Sequence, residues 1–246
     1  MRAFGKMALM QTKLYLREPM GVFFTLLFGP ALLVMMGLIF GSKPMPELNG
    51  LSHMDISVPS YIGLVVGITA LTSLPIGAAS RRETGVLRRF AATPLRPLAY
   101  FLADILAPMI ITMAGAVVLI LVGLIGYQVR FDGQWLNVAA GIFLSTTAFF
   151  ALGYAIGGIV PNVRTAIVAG NVLIIPMNIL SGALIPLEVM PGVQKISRFI
   201  PLTYVVSLLK GLWFGVNWSE LLPEVAVLVG LLILATLIIA LTFRWE

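Results

Sequence analysis

The chain has 246 residues, of which 59% are hydrophobic and only 11% charged, whereas soluble domains carry roughly one-quarter charged residues. With a mean hydropathy of +1.03, this composition excludes a water-soluble globule, and the net charge of +6 points to anionic lipid at a membrane surface rather than to nucleic acid. The sequence contains no cysteine, so disulfides and Cys-ligated metals are excluded from it.

From the first residue onward, Arg2, Lys6, Lys13 and Arg17 fall within a narrow arc at 100° per residue, while Phe4, Met7, Leu14 and Tyr15 occupy other faces. That pattern predicts an interfacial helix over 1–20; an ordinary basic flank accounts for the charge but not for its alignment. A spanning helix needs about 20 mainly apolar residues, and six stretches meet the requirement: 21–40, 61–79, 101–127, 136–159, 165–185 and 225–243. The first is about twice as long as a signal-peptide core and lacks a small-residue cleavage site, so it is expected to stay in place as an anchor. The fold class read from this pattern is an all-α integral membrane protein forming a single transmembrane domain. Pro30, Pro75, Pro108 and Pro176 predict kinks or broken turns within it.

Orientation follows from the basic residues. With the amino terminus inside, Arg2, Lys6, Lys13, Arg17, Arg81, Arg82, Arg88, Arg89, Arg96, Arg164 and Arg244 are cytoplasmic, against Lys43, Arg130, Lys195, Arg198 and Lys210 outside, together the 16 Lys and Arg of the chain. Six crossings return the carboxy terminus to the cytoplasm, and the expected location is the inner (cytoplasmic) membrane with both termini cytoplasmic. Trp135, Trp218 and Trp245 stand at predicted span ends, where interfacial aromatics belong. His53 and Asp55 fall in the predicted outer loop before span two, and a lone His is read there as a solvated residue rather than a metal ligand.

Between spans two and three, residues 81–97 read Arg-Arg-Glu-Thr-Gly-Val-Leu-Arg-Arg-Phe-Ala-Ala-Thr-Pro-Leu-Arg-Pro. Arg81, Arg82, Arg88 and Arg89 cluster on one side of a helical wheel, opposite Val86, Leu87, Phe90 and Ala91, and Thr93-Pro94 ends the run. One reading is a loop that fixes topology and touches lipid; the other is a helix that docks in a groove of a cytoplasmic partner. After span five, Pro186, Pro191, Pro201 and Pro223 divide 186–224 into pieces too short to cross, which predicts surface or re-entrant helices near 187–199 and 202–214.

Glu83-Thr84-Gly85 with Leu87 and Thr93-Pro94-Leu95, placed directly after the second span, resembles the intracellular loop of type-two ATP-binding-cassette exporter permeases, the group that includes daunorubicin-type drug exporters. Leu180-Ser181-Gly182-Ala183, Ile185-Pro186-Leu187, Pro191 and Pro201-Leu202-Thr203-Tyr204, ending in Lys210-Gly211, are similar to that family's fifth-span and outer-helix signature, which usually ends in Arg or Gln where this chain has Lys210. The resemblance implies six spans, an interfacial elbow helix, a coupling helix at 81–97 and outer re-entrant helices. It also implies an ABC ATPase subunit as partner, contacted through Arg82, Glu83, Gly85, Leu87, Arg88, Arg89, Thr93 and Pro94, and a second permease copy or paralogue. The sequence lacks a G-x-x-x-x-G-K-[ST] phosphate loop, so ATP and magnesium are expected on that partner and no cofactor in this chain.

Charge is nearly absent from the predicted spans. Asp104 is read as a structural carboxylate near the start of span three, within reach of water or a loop arginine. Asn171 and Asn178 share a face of span five with Gly182, and Thr69, Thr72 and Ser73 form a patch on span two. These residues act either as glue between helices or as lining of a transport route, and the resemblance favours the second because spans two and five border that family's central path. Gly63 with Gly67 and Gly153 with Gly157 predict close helix packing. The function so implied is a non-catalytic permease subunit moving an amphipathic small molecule or drug. Export of a lipid-linked polysaccharide or glycolipid is the alternative cargo, and a self-powered carrier or membrane enzyme a remote one.

Overall fold

The computed structural model describes residues 10, 12–13, 17, 19–41, 43, 50–85, 97–190 and 192–242, with the side chains of all of these except 20, 97–103 and 242. Most of the expected interfacial helix lies outside the described residues, as do Leu87, Arg88, Arg89, Thr93 and Pro94 of the expected coupling helix, and Pro191.

The protein is an all-α bundle with, among the described residues, six helices long and apolar enough to cross a membrane. In lipid every backbone group must find its partner inside the segment, which makes helices of these runs despite their many Val and Ile residues. Span one comprises α1 (Pro19–Val22), a π-helical turn (Phe23–Leu27) and α2 (Phe28–Phe40). Span two comprises α3 (His53–Ile68), a second π-helical turn (Thr69–Ser73) and α4 (Leu74–Glu83). Span three lies in α5 (Pro97–Tyr127), span four is α6 (Trp135–Ile159) and span five is α7 (Val163–Leu180). A 3-10 turn (Leu187–Val189), α8 (Gln194–Ser197) and α9 (Pro201–Trp213) follow, and span six is α10 (Leu222–Thr242).

Two differences from the sequence expectation have physical causes. Span two begins at His53 rather than near 61, because Ser52 and Asp55 form a capping box: the Ser52 hydroxyl accepts from the Asp55 N–H at 3.2 Å and the Asp55 carboxylate accepts from the Ser52 N–H at 2.8 Å. His53 and Asp55 are therefore helical rather than loop residues, and Asp55 is buried, also accepting from the Arg130 N–H at 2.7 Å. Span five stops at Leu180 rather than 185, because Ser181 caps it and Gly182 turns left-handed at φ +81°, a conformation that favours glycine.

Each π turn ends two or three residues before a proline, Pro30 in span one and Pro75 in span two. Proline lacks an N–H and its ring crowds the carbonyl four residues back; a turn bonded to the fifth residue back shifts that carbonyl and absorbs the defect. Pro59, Pro108 and Pro176 sit inside helices that continue through them.

Span two occupies the centre. Its most apolar window is 67% buried, against 17% for span five and 11% for span six. Apolar helices gain little from leaving lipid for one another, so close approach at small residues has to hold the bundle. A Cβ added at Gly153 of span four would land on the Ala70 carbonyl, and one at Gly170 of span five on the Leu71 carbonyl. One at Gly115 of span three would meet the Thr25 carbonyl. The two π turns are thus gripped by glycines from three other spans, and they bond each other through the Thr25 and Thr69 hydroxyls at 3.2 Å.

Candidate functional site

Span two ends in Arg81, Arg82 and Glu83, and each reaches a different neighbouring helix. The Arg81 guanidinium donates to the Asp104 carboxylate of span three at 2.5 Å, and the Tyr154 hydroxyl of span four donates to the same oxygen, also at 2.5 Å. Asp104 is 5% exposed and Arg81 27%, so this is a mostly buried charge pair. Such a pair persists where hydrogen bonds satisfy both ions, and Tyr154 supplies one of them.

Arg82 donates to the carbonyls of Gly158, at 3.2 Å, and of Val160. Those carbonyls belong to the last turn of span four, where helical oxygens lack intrahelical partners and the dipole is negative. Two residues beyond that carbonyl, Asn162 caps span five, its side chain accepting from the Thr165 N–H at 2.8 Å. Glu83 then accepts from the Val163 N–H at 2.8 Å, at the positive first turn of span five. Adjacent residues of opposite sign thus hold the two opposite helix ends that meet at the short Val160–Asn162 connection. Gly85, at φ +68°, ends the helix; Thr84 N–H donates to the Ser80 carbonyl and Gly85 N–H to that of Arg82.

Arg82 and Glu83 are therefore engaged within this chain, while the Glu83 and Thr84 side chains remain exposed at its surface. The sequence reading placed an arginine within reach of Asp104 but missed Tyr154. The signal available was a Tyr on a span otherwise rich in small residues, and nothing in the spacing said which helix it faced.

The expected route residues separate. Thr69 is fully buried, its hydroxyl bonded to that of Thr25 on span one. Thr72 returns its hydroxyl to the Ile68 carbonyl at 2.6 Å and, like Ser73, is half-buried. Asn171 is exposed on span five, and Asn178 keeps a buried Oδ1 without a hydrogen-bond partner in the monomer.

The outer signature forms the turn after span five and the helix beyond it. Ser181 is buried and its hydroxyl accepts from the Ala183 N–H at 3.2 Å. Gly182 lies against Leu187, where a Cβ would collide with the Leu187 side chain. Pro186 starts the 3-10 turn, and Pro201 opens α9 at its first position, where a missing N–H is harmless. The Tyr204 hydroxyl donates to the Arg198 carbonyl at 2.7 Å. Trp213, fully buried, packs edge-on to Phe131 and Trp135 and donates its indole N–H to the Arg130 carbonyl at 2.8 Å, which locks α9 to the connection between spans three and four. Lys210 faces Glu188 at 3.5 Å with its side chain 16% exposed; burial pulls its pKa below the usual lysine value and Glu188 offsets part of that.

Six apolar spans, a charged staple at one end of span two and short helices between spans five and six define a polytopic membrane protein. The family model of the ABC-2 type transporter matches residues 3–214, and the chain belongs to that family. It is 24% identical over 174 residues to the "Probable multidrug ABC transporter permease YbhR" of Escherichia coli K12, covering 68% of this chain and 47% of that protein. It is 26% identical over 202 residues to the "Inner membrane transport permease YhhJ" of the same organism, covering 76% and 54%. With "Nodulation protein J" of Rhizobium leguminosarum bv. trifolii it shares 30% identity over 107 residues, 42% of this chain and 39% of that protein. The chain spans about half the length of the two Escherichia coli relatives.

Proposed function

We propose that this chain is the membrane-spanning permease subunit of an ATP-driven exporter that moves an amphipathic small molecule or drug across the cytoplasmic membrane. ATP and magnesium bind a separate ATP-hydrolysing subunit, and a second copy or a paralogue completes the route. Arg81, Arg82 and Arg164 share one end of the bundle, and the positive-inside rule puts that end, with both termini, in the cytoplasm.

The observation that carries the reading is the union of span two's inner end with spans three, four and five through Arg81, Arg82 and Glu83. A push delivered to residues 81–97 by nucleotide-driven closure of the partner has a polar path into three other helices without crossing lipid. Such a push shifts an equilibrium only if the partner contacts the segment differently in the two states. The exposed Asn171 and the unpaired Asn178 on a mostly uncovered span five support a route, and a second subunit, on that face. The multidrug designation of one relative supports an amphipathic cargo.

The test is whether a phosphate-loop ATPase is encoded beside it and co-purifies with it, followed by ATP hydrolysis in lipid vesicles with hydrophobic drugs added. Drug-stimulated hydrolysis is expected, with uncoupling when Glu83, Gly85 and Leu87 are replaced together. Normal export by that variant overturns the coupling role; stimulation by a lipid-linked glycan alone overturns the cargo.

A further inference from the structure

At the opposite end of span two from Arg81, a cavity of about 430 Å³ opens between the start of that span, the Leu187–Val189 turn and α9. Its wall is mainly apolar, with Leu51, Ile56, Leu187 and Phe214 around one ammonium group, that of Lys210. Ligand sites run from about 300 to 1,000 Å³, so the space suits a single-chain or ring compound, or one part of a lipid.

Lys210 carries three donors on a side chain that is 16% exposed, and its carboxylate neighbour, Glu188, stands 3.5 Å away. Charge-assisted bonds of this kind close to about 2.7–2.9 Å, so the pair is stretched and the cation short of acceptors. Glu188 rides on a three-residue turn and is 45% exposed, so it can rotate into water at little cost. The neighbouring hydroxyls are committed: Thr203 donates to the Ser197 carbonyl at 2.7 Å and Ser207 to Glu224 at 2.8 Å. Glu224, whose first oxygen holds Ser207, keeps its second oxygen buried and without a hydrogen-bond partner among the described residues. Repulsion from a neighbouring carboxylate grows with the charge of the ligand, so a singly charged head group is opposed less than a doubly charged one.

We propose that this cavity binds an amphiphile with a single negative charge, whose carboxylate or phosphodiester takes the place of Glu188 on Lys210 while its apolar part lies against Leu51, Ile56, Leu187 and Phe214. The site is separate from the Arg81–Glu83 staple and independent of ATP and of transport direction.

The experiment titrates the full chain, in nanodiscs of zwitterionic phosphatidylcholine, with dodecanoate, dodecyltrimethylammonium and dodecyl maltoside, three head groups on one chain length. Saturable binding of dodecanoate alone is expected. Lys210→Gln weakens it about tenfold or more, since a charge-assisted contact is lost, and Lys210→Arg retains it. Glu188→Gln, on an exposed turn that leaves folding untouched, strengthens it several-fold by removing the competing carboxylate. Equal binding of the three amphiphiles, an unchanged affinity in Lys210→Gln, or an unchanged or weaker one in Glu188→Gln overturns the proposal. Repeating the titration with phosphatidylglycerol in the disc separates the two sources: competition identifies a lipid phosphodiester as the resident ligand, and its absence identifies a free carboxylate.

Discussion

At the end of span two that carries Arg81, Arg82 and Glu83, contacts of 2.5, 2.8 and 3.2 Å tie one helix to three others, whereas beyond the opposite end a single ion pair is stretched to 3.5 Å beside a cavity. The 31 residues between them form one continuous helical rod, ~45 Å long at 1.5 Å per residue. One end is tied to its neighbours by short contacts, and the other is held by a looser pair. The difference lies in how charge is compensated. Asp104 is satisfied by Arg81 and Tyr154 together, while Lys210 relies on a carboxylate that water also reaches.

Asp104→Asn should break the comparison most severely. It leaves Arg81 beside a neutral group in a mostly buried site and lowers stability by about 2–4 kcal/mol, toward the low side for a buried pair because Arg81 is partly exposed; thermal unfolding in detergent measures it. Gly153→Val forces a side chain onto the Ala70 carbonyl of the π turn and should destabilise by about 1–3 kcal/mol. Gly126→Ala, where an added Cβ meets nothing within 4 Å, should unfold at the wild-type temperature. Tyr154→Phe removes one donor to a buried carboxylate and should cost about 1.5 kcal/mol. The last pair sharpens the contrast between the ends. Glu83→Gln weakens a carboxylate at the first turn of span five by about 0.3–1 kcal/mol yet should lower transport per ATP hydrolysed. Glu188→Gln, at a pair whose carboxylate is 45% exposed, should leave that ratio unchanged, and a fall there would erase the functional distinction between the ends.

The glycines show how far a one-dimensional reading reaches. Gly153 and Gly157 announce close packing by their four-residue spacing, and both lie on span two, against Ala70 and Pro75. Gly115 and Gly170 do equivalent work against the Thr25 and Leu71 carbonyls with no second glycine four residues away. Thr69 likewise was compatible with a route and with helix glue, and only the structure shows that its hydroxyl bonds that of Thr25.

The amino-acid order alone determined that the chain is an all-α membrane bundle of six spans, that two short helical pieces precede the last of them, and that span two ends in a charged run. Those features depend on the length of apolar stretches and on local backbone chemistry, which act within some twenty residues. Only the tertiary structure decided that Arg81 meets Asp104 and Tyr154, that Arg82 and Glu83 grip the two helix ends beside Asn162, and that Lys210 borders a cavity. These pairings join residues 23 to 80 positions apart, and which faces of six similar apolar helices meet is settled by packing between them, a property that no single segment carries.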